Sequence, residues 1–363
     1  SPPLNDWTVA GINVTADDVR INNLFISNFS TGILAADADN LEIQYVHISD
    51  IQGIGVHIRS SNSATLANLN VSNSQGSNIL AGPNSTGLTI LNSQISGSEE
   101  SGIYVEEGSD EFSISNSHIF DNQDYGLYFS TEDIEILSNQ IYGNGLNGIK
   151  LQASHDSKIA DNNIKLNGLS ELYLVQASNI EIENNIFDST GGWGIDTSNS
   201  VYIEIANNEM HCGLRLTNGD NFTINNNQFS NITYGNDIAQ KTAIFIDGND
   251  NTISDNTIRN VGVAFLFMND SDHNLIENNT ISEAITDIEY YSSGVNNIFI
   301  NTEIGIVDIL EDKYFETINY VDIQMFTSEG PVSGIELNIT TDGDSVYSTA
   351  NYGGDAPLTD SDG

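Results

Sequence analysis

Cations are scarce in this sequence. The 363-residue chain carries 9 Lys plus Arg against 51 Asp plus Glu, a formal charge of −42. That deficit excludes nucleic-acid binding, because too few cations are present to neutralise a phosphate backbone and the net field repels it. The same field opposes docking on an anionic membrane surface. No stretch reaches the roughly 18 to 20 apolar residues that a membrane helix needs. A single cysteine, Cys212, excludes an intrachain disulfide and a cysteine-based metal site, so the redox compartment cannot be read from bridges. A 3.6-residue apolar period is nearly absent, which excludes a helical solenoid. Proline is also scarce, at 5 residues, which leaves backbone donors free for ladders. No apolar signal segment precedes Ser1, so the chain reads as already processed.

What the sequence has is a repeat. The hydrophobic fraction of 38% is low, but its members are evenly spaced, which argues against disorder. One phrase recurs: an apolar anchor, an Asn-rich polar turn, then a second apolar anchor. Examples are Ile21 to Ile26, Ile90 to Ile95, Ile136 to Ile141, Ile182-Glu-Asn-Asn-Ile186 and Ile276 to Ile281. First anchors lie mostly 22 to 24 residues apart, with one short unit of 19 and one long unit of 29. Midway through many units stands Gly followed by an aliphatic residue and then alternation, as at Gly102-Ile103, Gly126-Leu127, Gly148-Ile149, Gly194-Ile195 and Gly213-Leu214. Alternation with period two means strands with one buried face. Two or three short strands per unit, separated by Asn/Gly/Ser turns, predict an all-β, single-stranded right-handed parallel β-helix of about 12 to 13 coils. With strands about 4.8 Å apart this is a rod of roughly 55 to 60 Å. Asn recurs two residues after the anchor, at Asn23, Asn92, Asn116, Asn184, Asn207, Asn226 and Asn278, with Asp161 and Asp255 as near-substitutes. These residues are expected to tolerate a left-handed backbone and to stack their amides between coils.

The coil phrase resembles that of right-handed parallel β-helix proteins of the NosD-like, carbohydrate-binding and sugar-hydrolase type, in the pectate-lyase-like superfamily. The resemblance covers about Val19 to Asn301. It implies the fold and a bacterial or archaeal surface setting; its members include surface proteins, glycan binders, lyases, glycosidases and epimerases. On this basis residues 1–18 are expected as an N-terminal cap and 19–303 as the β-helix. Residues 304–331 are expected as terminal coils or capping strands, and 332–363 as a partial β-sandwich-like segment or linker. That last segment is too short for its own core, so it is expected to cover the end of the rod or to mediate self-assembly.

The first outward residue after the Gly-aliphatic phase gives a stripe: His57, Tyr104, Tyr128, Lys150, Tyr173, Asp196, Arg215 and Phe245. Rings suit the faces of sugars, and charges suit their hydroxyl or carboxylate groups, so the expected partner is a linear polysaccharide or cell-surface glycan. The alternative is ordinary cross-strand packing of aromatics. Catalysis would need a base and a group that neutralises an acidic sugar. Lys150, Asp196, Arg215 and His211, with His155 and Asp156, come from adjacent units and are expected to converge if the chain is an enzyme. The signature series of polygalacturonases, alginate epimerases and pectate lyases are missing. The long unit carries an insertion, Asn231 to Thr242, whose Tyr234, Asp237 and Lys241 are expected to wall a site.

No cofactor is required by the pattern. Calcium is the metal that oxygen-rich turns would take, with candidate ligands Asp247, Asp250, Asp270, Asp272, Asp342, Asp344, Asp360 and Asp362. The resemblance also implies copper, for which Met210, His211 and Cys212 are the local cluster, although Cys212 is expected near the core. Asn-X-Ser/Thr sequons at Asn13, Asn28, Asn70, Asn84, Asn221, Asn231, Asn269, Asn278 and Asn338 fit an extracellular or cell-surface location. The leading reading is a structural, adhesive or glycan-binding β-helix of an envelope or extracellular filament. The other is a polysaccharide lyase, epimerase or hydrolase working on the outer strand face.

Overall fold

Each unit of about 23 residues contains three short strands, and the unit length decides what they pair with. A strand cannot pair within its own coil, so it pairs with the equivalent strand one unit away. One coil shows the pattern: Leu127–Phe129, Ile134–Leu137 and Gln140–Tyr142. The computed structural model describes residues 9–233, 238–294 and 296–309, with short strands at 316–318, 326–327, 330–331, 338–341 and 344–348. Strands of one phase assemble a first sheet of 14 strands, the next phase a second sheet of 14, and the third phase a sheet of 12. Neighbours within these three sheets are parallel and one coil apart, as in Leu127↔Ile149 and Ile141↔Ile164. The right-handed parallel β-helix read from the sequence is therefore the fold.

The first sheet begins at Ala10–Val14, which pairs with Thr31–Ala36, so a rung already lies within the segment expected as a cap. At the other end the first sheet continues to Val307–Ile309 and the second to Glu316–Ile318. Residues 319–363 form a separate unit, described here by its two hairpins. These pair Phe326–Thr327 with Gly330–Pro331 and Asn338–Thr341 with Asp344–Ser348, both antiparallel. The rest of the expected sandwich-like segment lies outside the described residues. So do Tyr234 and Asp237 of the insertion. A single 3-10 turn, Ala239–Lys241, is the helical structure among the described residues, and no helix is long and apolar enough to cross a membrane.

Alternation puts one aliphatic column per strand phase inside the rod. Ile103, Leu127, Ile149, Leu172, Ile195 and Leu214 are fully buried in one column; Ile114, Ile136, Ile159, Ile182, Ile205 and Ile224 are fully buried in another. Each such side chain contributes roughly 1.5 to 3 kcal/mol by leaving water.

The asparagines divide their work in a way the sequence reading placed one residue too early. Asn23, Asn92, Asn116, Asp161, Asn184, Asn207, Asn226, Asp255 and Asn278 do adopt positive φ, between 49° and 59°, but they face solvent. From Asn139 onward the amide ladder is formed by the following residue, which is buried; after Asn92 and Asn116 that residue is a buried Ser, and after Asn23 it is the exposed Leu24. Asn139 donates to Asn162 (3.0 Å), Asn162 to Asn185 (3.0 Å), Asn185 to Asn208 (3.1 Å), and Asn208 to Asn227 (3.0 Å). The ladder runs on through Asn256 and Asn279. The first Asn of each pair turns the chain by a left-handed step, which directs the second inward. Inside, its amide satisfies backbone groups that the corner would otherwise strand.

Candidate functional site

The register aligns the predicted stripe in a single file on the outer face of the first sheet. Its order is Leu34, His57, Leu80, Tyr104, Tyr128, Lys150, Tyr173, Asp196, Arg215, Phe245, Leu266, Glu289 and Asp308. Leu34 follows the Gly32-Ile33 phrase and belongs to the file by the same count, whereas Leu80 and Leu266 follow Asn78-Ile79 and Ala264-Phe265, where no Gly marks the phase. His57 sits among leucines and is buried, and burial lowers its pKa to about 4, so it is a neutral packing residue. The polar and aromatic stretch from Tyr104 to Phe245 spans about 29 Å.

Within that stretch the side chains form two clusters. Tyr104 and Tyr128 stack in parallel, 4.7 Å apart and 3° from coplanar. Tyr125, from the corner before the Leu127–Phe129 strand, tilts against Tyr128 at 5.3 Å. Lys150 Nζ lies 5.0 Å from the Tyr128 ring, 5.2 Å from Tyr125 and 6.0 Å from Tyr173. Burial lowers the Lys150 pKa and raises those of all four tyrosines, which keeps their hydroxyls protonated. Among the described residues Lys150, like Arg59, Lys165 and Lys241, pairs with no carboxylate, whereas Arg20, Lys158, Arg215 and Arg259 do. A groove of about 590 Å³ opens beside the stacked tyrosines, bordered by Pro83, Glu106 and Glu107.

The second cluster is built on a bidentate ion pair. Arg215 Nε donates to Asp196 Oδ1 at 2.8 Å and Nη2 to Oδ2 at 2.5 Å. The guanidinium lies over Trp193, 5.3 Å from its ring, and Trp193 meets Phe245 edge-on at 5.9 Å. A groove of about 300 Å³ lies between Tyr173, Trp193, Asp196 and Arg215. Trp193 can lie there because the 19-residue unit drops the usual corner: only His211, Cys212 and Gly213 separate the Glu209–Met210 strand from Leu214–Thr217. Gly213 completes the seat, since a Cβ there would come within 2.6 Å of the indole. Tyr125 and Trp193 were missed by counting outward strand positions. A signal did exist, because each immediately precedes a Gly-aliphatic pair.

The other candidates do not join this face. His155 begins a strand of the second sheet with Asp156, beside Glu132. Its Nδ1 lies 3.6 Å from the Glu132 carboxylate. His211 binds Glu209 (3.0 Å) and Ser230 (3.1 Å) beyond the third sheet. The convergence of Lys150, Asp196 and Arg215 with His155, Asp156 and His211 is therefore corrected: strand phase separates them onto three different edges of the coil. Lys241 packs its stem against Gly262 at the 3-10 turn.

Copper is not supported by the donors. Met210 and Cys212 are buried in the core, where burial raises the thiol pKa well above its usual value, while His211 points outward. The calcium candidates Asp247, Asp250, Asp270 and Asp272 do not form a group of three close ligand atoms among the described residues. Such a group is found instead at Glu132, His155 and Asp156. Asp247 accepts from Asn269 at 2.8 Å, and Asp270 accepts from Ser293. Asp342, Asp360 and Asp362, and the side chain of Asp344, lie outside the described residues. Of the described sequon asparagines, Asn70 is half-buried and the rest are exposed.

Glu171 escaped the sequence reading. It takes the place that Gly126, Gly148, Gly194 and Gly213 hold in other coils, and it points inward. A second amide ladder, Asn122 to Asn144 (2.8 Å) to Asn167 (2.9 Å), ends on its carboxylate. Burial pushes its pKa up to about 8 from 4.5, outweighing the opposing hydrogen bonds from Asn167. The folded chain thus keeps a proton that the unfolded chain releases, and stability falls as pH rises from about 4.5 to about 8. Glu171→Gln is expected to remove that loss. Its gain over the parent should be absent near pH 4 and approach roughly 5 kcal/mol above pH 8, read from urea midpoints across pH.

Sequence comparison matches the family described as right handed beta helix region over residues 10–133 and 101–243. No curated protein matches the chain. Among solved structures, the Dettilon tailspike protein is 15% identical with a TM-score of 0.53, covering 80% of this chain and 60% of that one. An alpha-1,3-glucanase catalytic unit from Streptomyces thermodiastaticus is 13% identical with a TM-score of 0.57, covering 85% and 63%. The A-module of a mannuronan C-5 epimerase from Azotobacter vinelandii is 16% identical with a TM-score of 0.51, covering 82% and 75%. This chain therefore spans less than two thirds of the tailspike and glucanase structures, and likeness at such identities shows the fold alone.

Proposed function

We propose that this chain, which belongs to the right-handed β-helix family, binds a linear glycan along the outer file of its first sheet. The observation that carries the reading is the parallel Tyr104–Tyr128 stack continuing through Lys150 to Tyr173, Trp193 and Arg215 at one side chain per rung. Sugar rings in an extended chain repeat at a spacing close to that of the rungs, so successive sugars would meet successive side chains. Flat faces of sugars present C–H groups to aromatic rings, and the half-exposed rings here lose little freedom on binding. Two structural neighbours act on polysaccharides, mannuronan and alpha-1,3-glucan, which supports the same ligand class. Exposed sequons such as Asn13, Asn84 and Asn221 support placing the protein outside the cell, in a structural or adhesive role.

Binding without turnover is favoured because Asp196 and Arg215 already satisfy each other. Neither is free to act as acid, base or uronate clamp. A second reading, a lyase or epimerase, rests on one observation: Lys150 stands among protonated tyrosines in the outer file, and burial lowers its pKa from the ordinary value, the direction that favours a neutral amine. A glycan array followed by incubation with each retained glycan separates the two. Retention with no new ultraviolet absorbance and no change in sugar configuration is expected. Appearance of an unsaturated or epimerised product would favour the second reading, and retention of nothing would overturn both.

A further inference from the structure

Building on the glycan-binding reading, we propose that the face selects glycans with isolated acidic groups: one anionic sugar seated on Lys150 and neutral sugars on either side. Lys150 is the one cation of the outer file that no carboxylate of the described residues neutralises; Arg215 is held by Asp196 at 2.8 Å and 2.5 Å. Among the described residues Arg59, Lys165 and Lys241 also lack a carboxylate pair, but of these four cations Lys150 is the one seated over aromatic rings. Its nearest partners are instead three ring faces, at 5.0, 5.2 and 6.0 Å. Those faces carry negative electrostatic potential, which steadies an ammonium and repels an anion.

The neighbours of Lys150 therefore define what can flank an acid. One rung to either side stand Tyr128 and Tyr173, which suit uncharged sugar rings and not carboxylates. Farther out, Glu106 and Glu107 border the groove at the stacked tyrosines. A glycan charged on every unit would place its remaining acids against these rings and carboxylates, within a field that already opposes polyanions. A wholly neutral glycan would leave the partly desolvated ammonium without an acceptor of opposite charge. A carboxylate and a sulfate share the chemistry that Lys150 would recognise.

The test uses immobilised gellan, which has one glucuronate per repeat, its carboxyl-reduced form, a sulfated derivative of that reduced form at low substitution, and polygalacturonate. The expected result is retention on gellan roughly tenfold or more above the reduced form, fading as salt rises. Polygalacturonate should be retained more weakly than gellan. Lys150→Met, with an unchanged β-sheet spectrum, should bring gellan down to the level of the reduced form, and Lys150→Arg should restore the preference. Recovery on the sulfated derivative would show that the charge suffices; its absence alongside gellan binding would narrow the class to carboxylates. Equal retention of gellan and reduced gellan, or stronger retention of polygalacturonate, would overturn this inference and leave the glycan-binding reading standing. No retention of these four or of any linear glycan on the array would overturn that reading as well.

Discussion

Asn185→Leu lowers the stability of the rod by an expected 3 kcal/mol or more, roughly, and does so from a position with no contact to the outer face. The side chain of Asn185 accepts from the Asn162 amide at 3.0 Å and from the Asn162 backbone N–H at 2.9 Å. It donates to Asn208 at 3.1 Å, to the Ile159 carbonyl at 2.8 Å and to the Glu183 carbonyl at 2.9 Å. Leucine would leave several of these groups buried and unpaired, at roughly 1 to 3 kcal/mol each. Its neighbour separates ladder from turn. Asn184 has φ of 56° and faces solvent, so Asn184→Leu should cost only about 1 to 2 kcal/mol of left-handed strain, and Asn184→Gly should be nearly neutral. Denaturant midpoints for the three variants check the ranking. Equal losses for the two leucine variants would mean that the ladder does not hold the corner.

The largest functional loss is expected from Tyr104→Ala, Tyr128→Ala and Trp193→Ala combined. These rings supply the flat surfaces of both grooves, and their removal should weaken glycan retention at least roughly 100-fold while the far-ultraviolet spectrum stays β-rich. Arg215 is deliberately left in place. Removing it would strand the buried Asp196 carboxylate, and lost binding could then be lost folding. Retention unchanged in the triple variant would place the glycan on another face of the rod.

The stripe itself was legible because a strand alternates sides with period two and the units repeat almost without slippage. Once Gly126-Leu127 and Gly148-Ile149 fix the phase, Tyr128 and Lys150 must share a file. The corners were not legible in the same way. Corner residues recur once per coil but do not alternate in and out with period two, so counting along a strand did not show which way Tyr125, Trp193 and Glu171 point. The expected meeting of His155, His211 and Lys150 failed for a related reason. These three belong to different sides of the coil, so the adjacency of their units does not bring their side chains together.

The sequence by itself determined the coil, its length, the buried columns and the outer file from Tyr104 to Phe245. All of these follow from apolar periodicity, which is local and repeated along the chain. Only the tertiary structure decided which Asn of each pair enters the ladder, because that depends on the handedness of the turn before it. It also decided that Asp196 and Arg215 neutralise each other across one rung, and that a shortened unit with Gly213 makes room for Trp193. Finally, it decided that Lys150 stands among rings without an acidic partner, since charge compensation depends on distances in space and not on spacing in sequence.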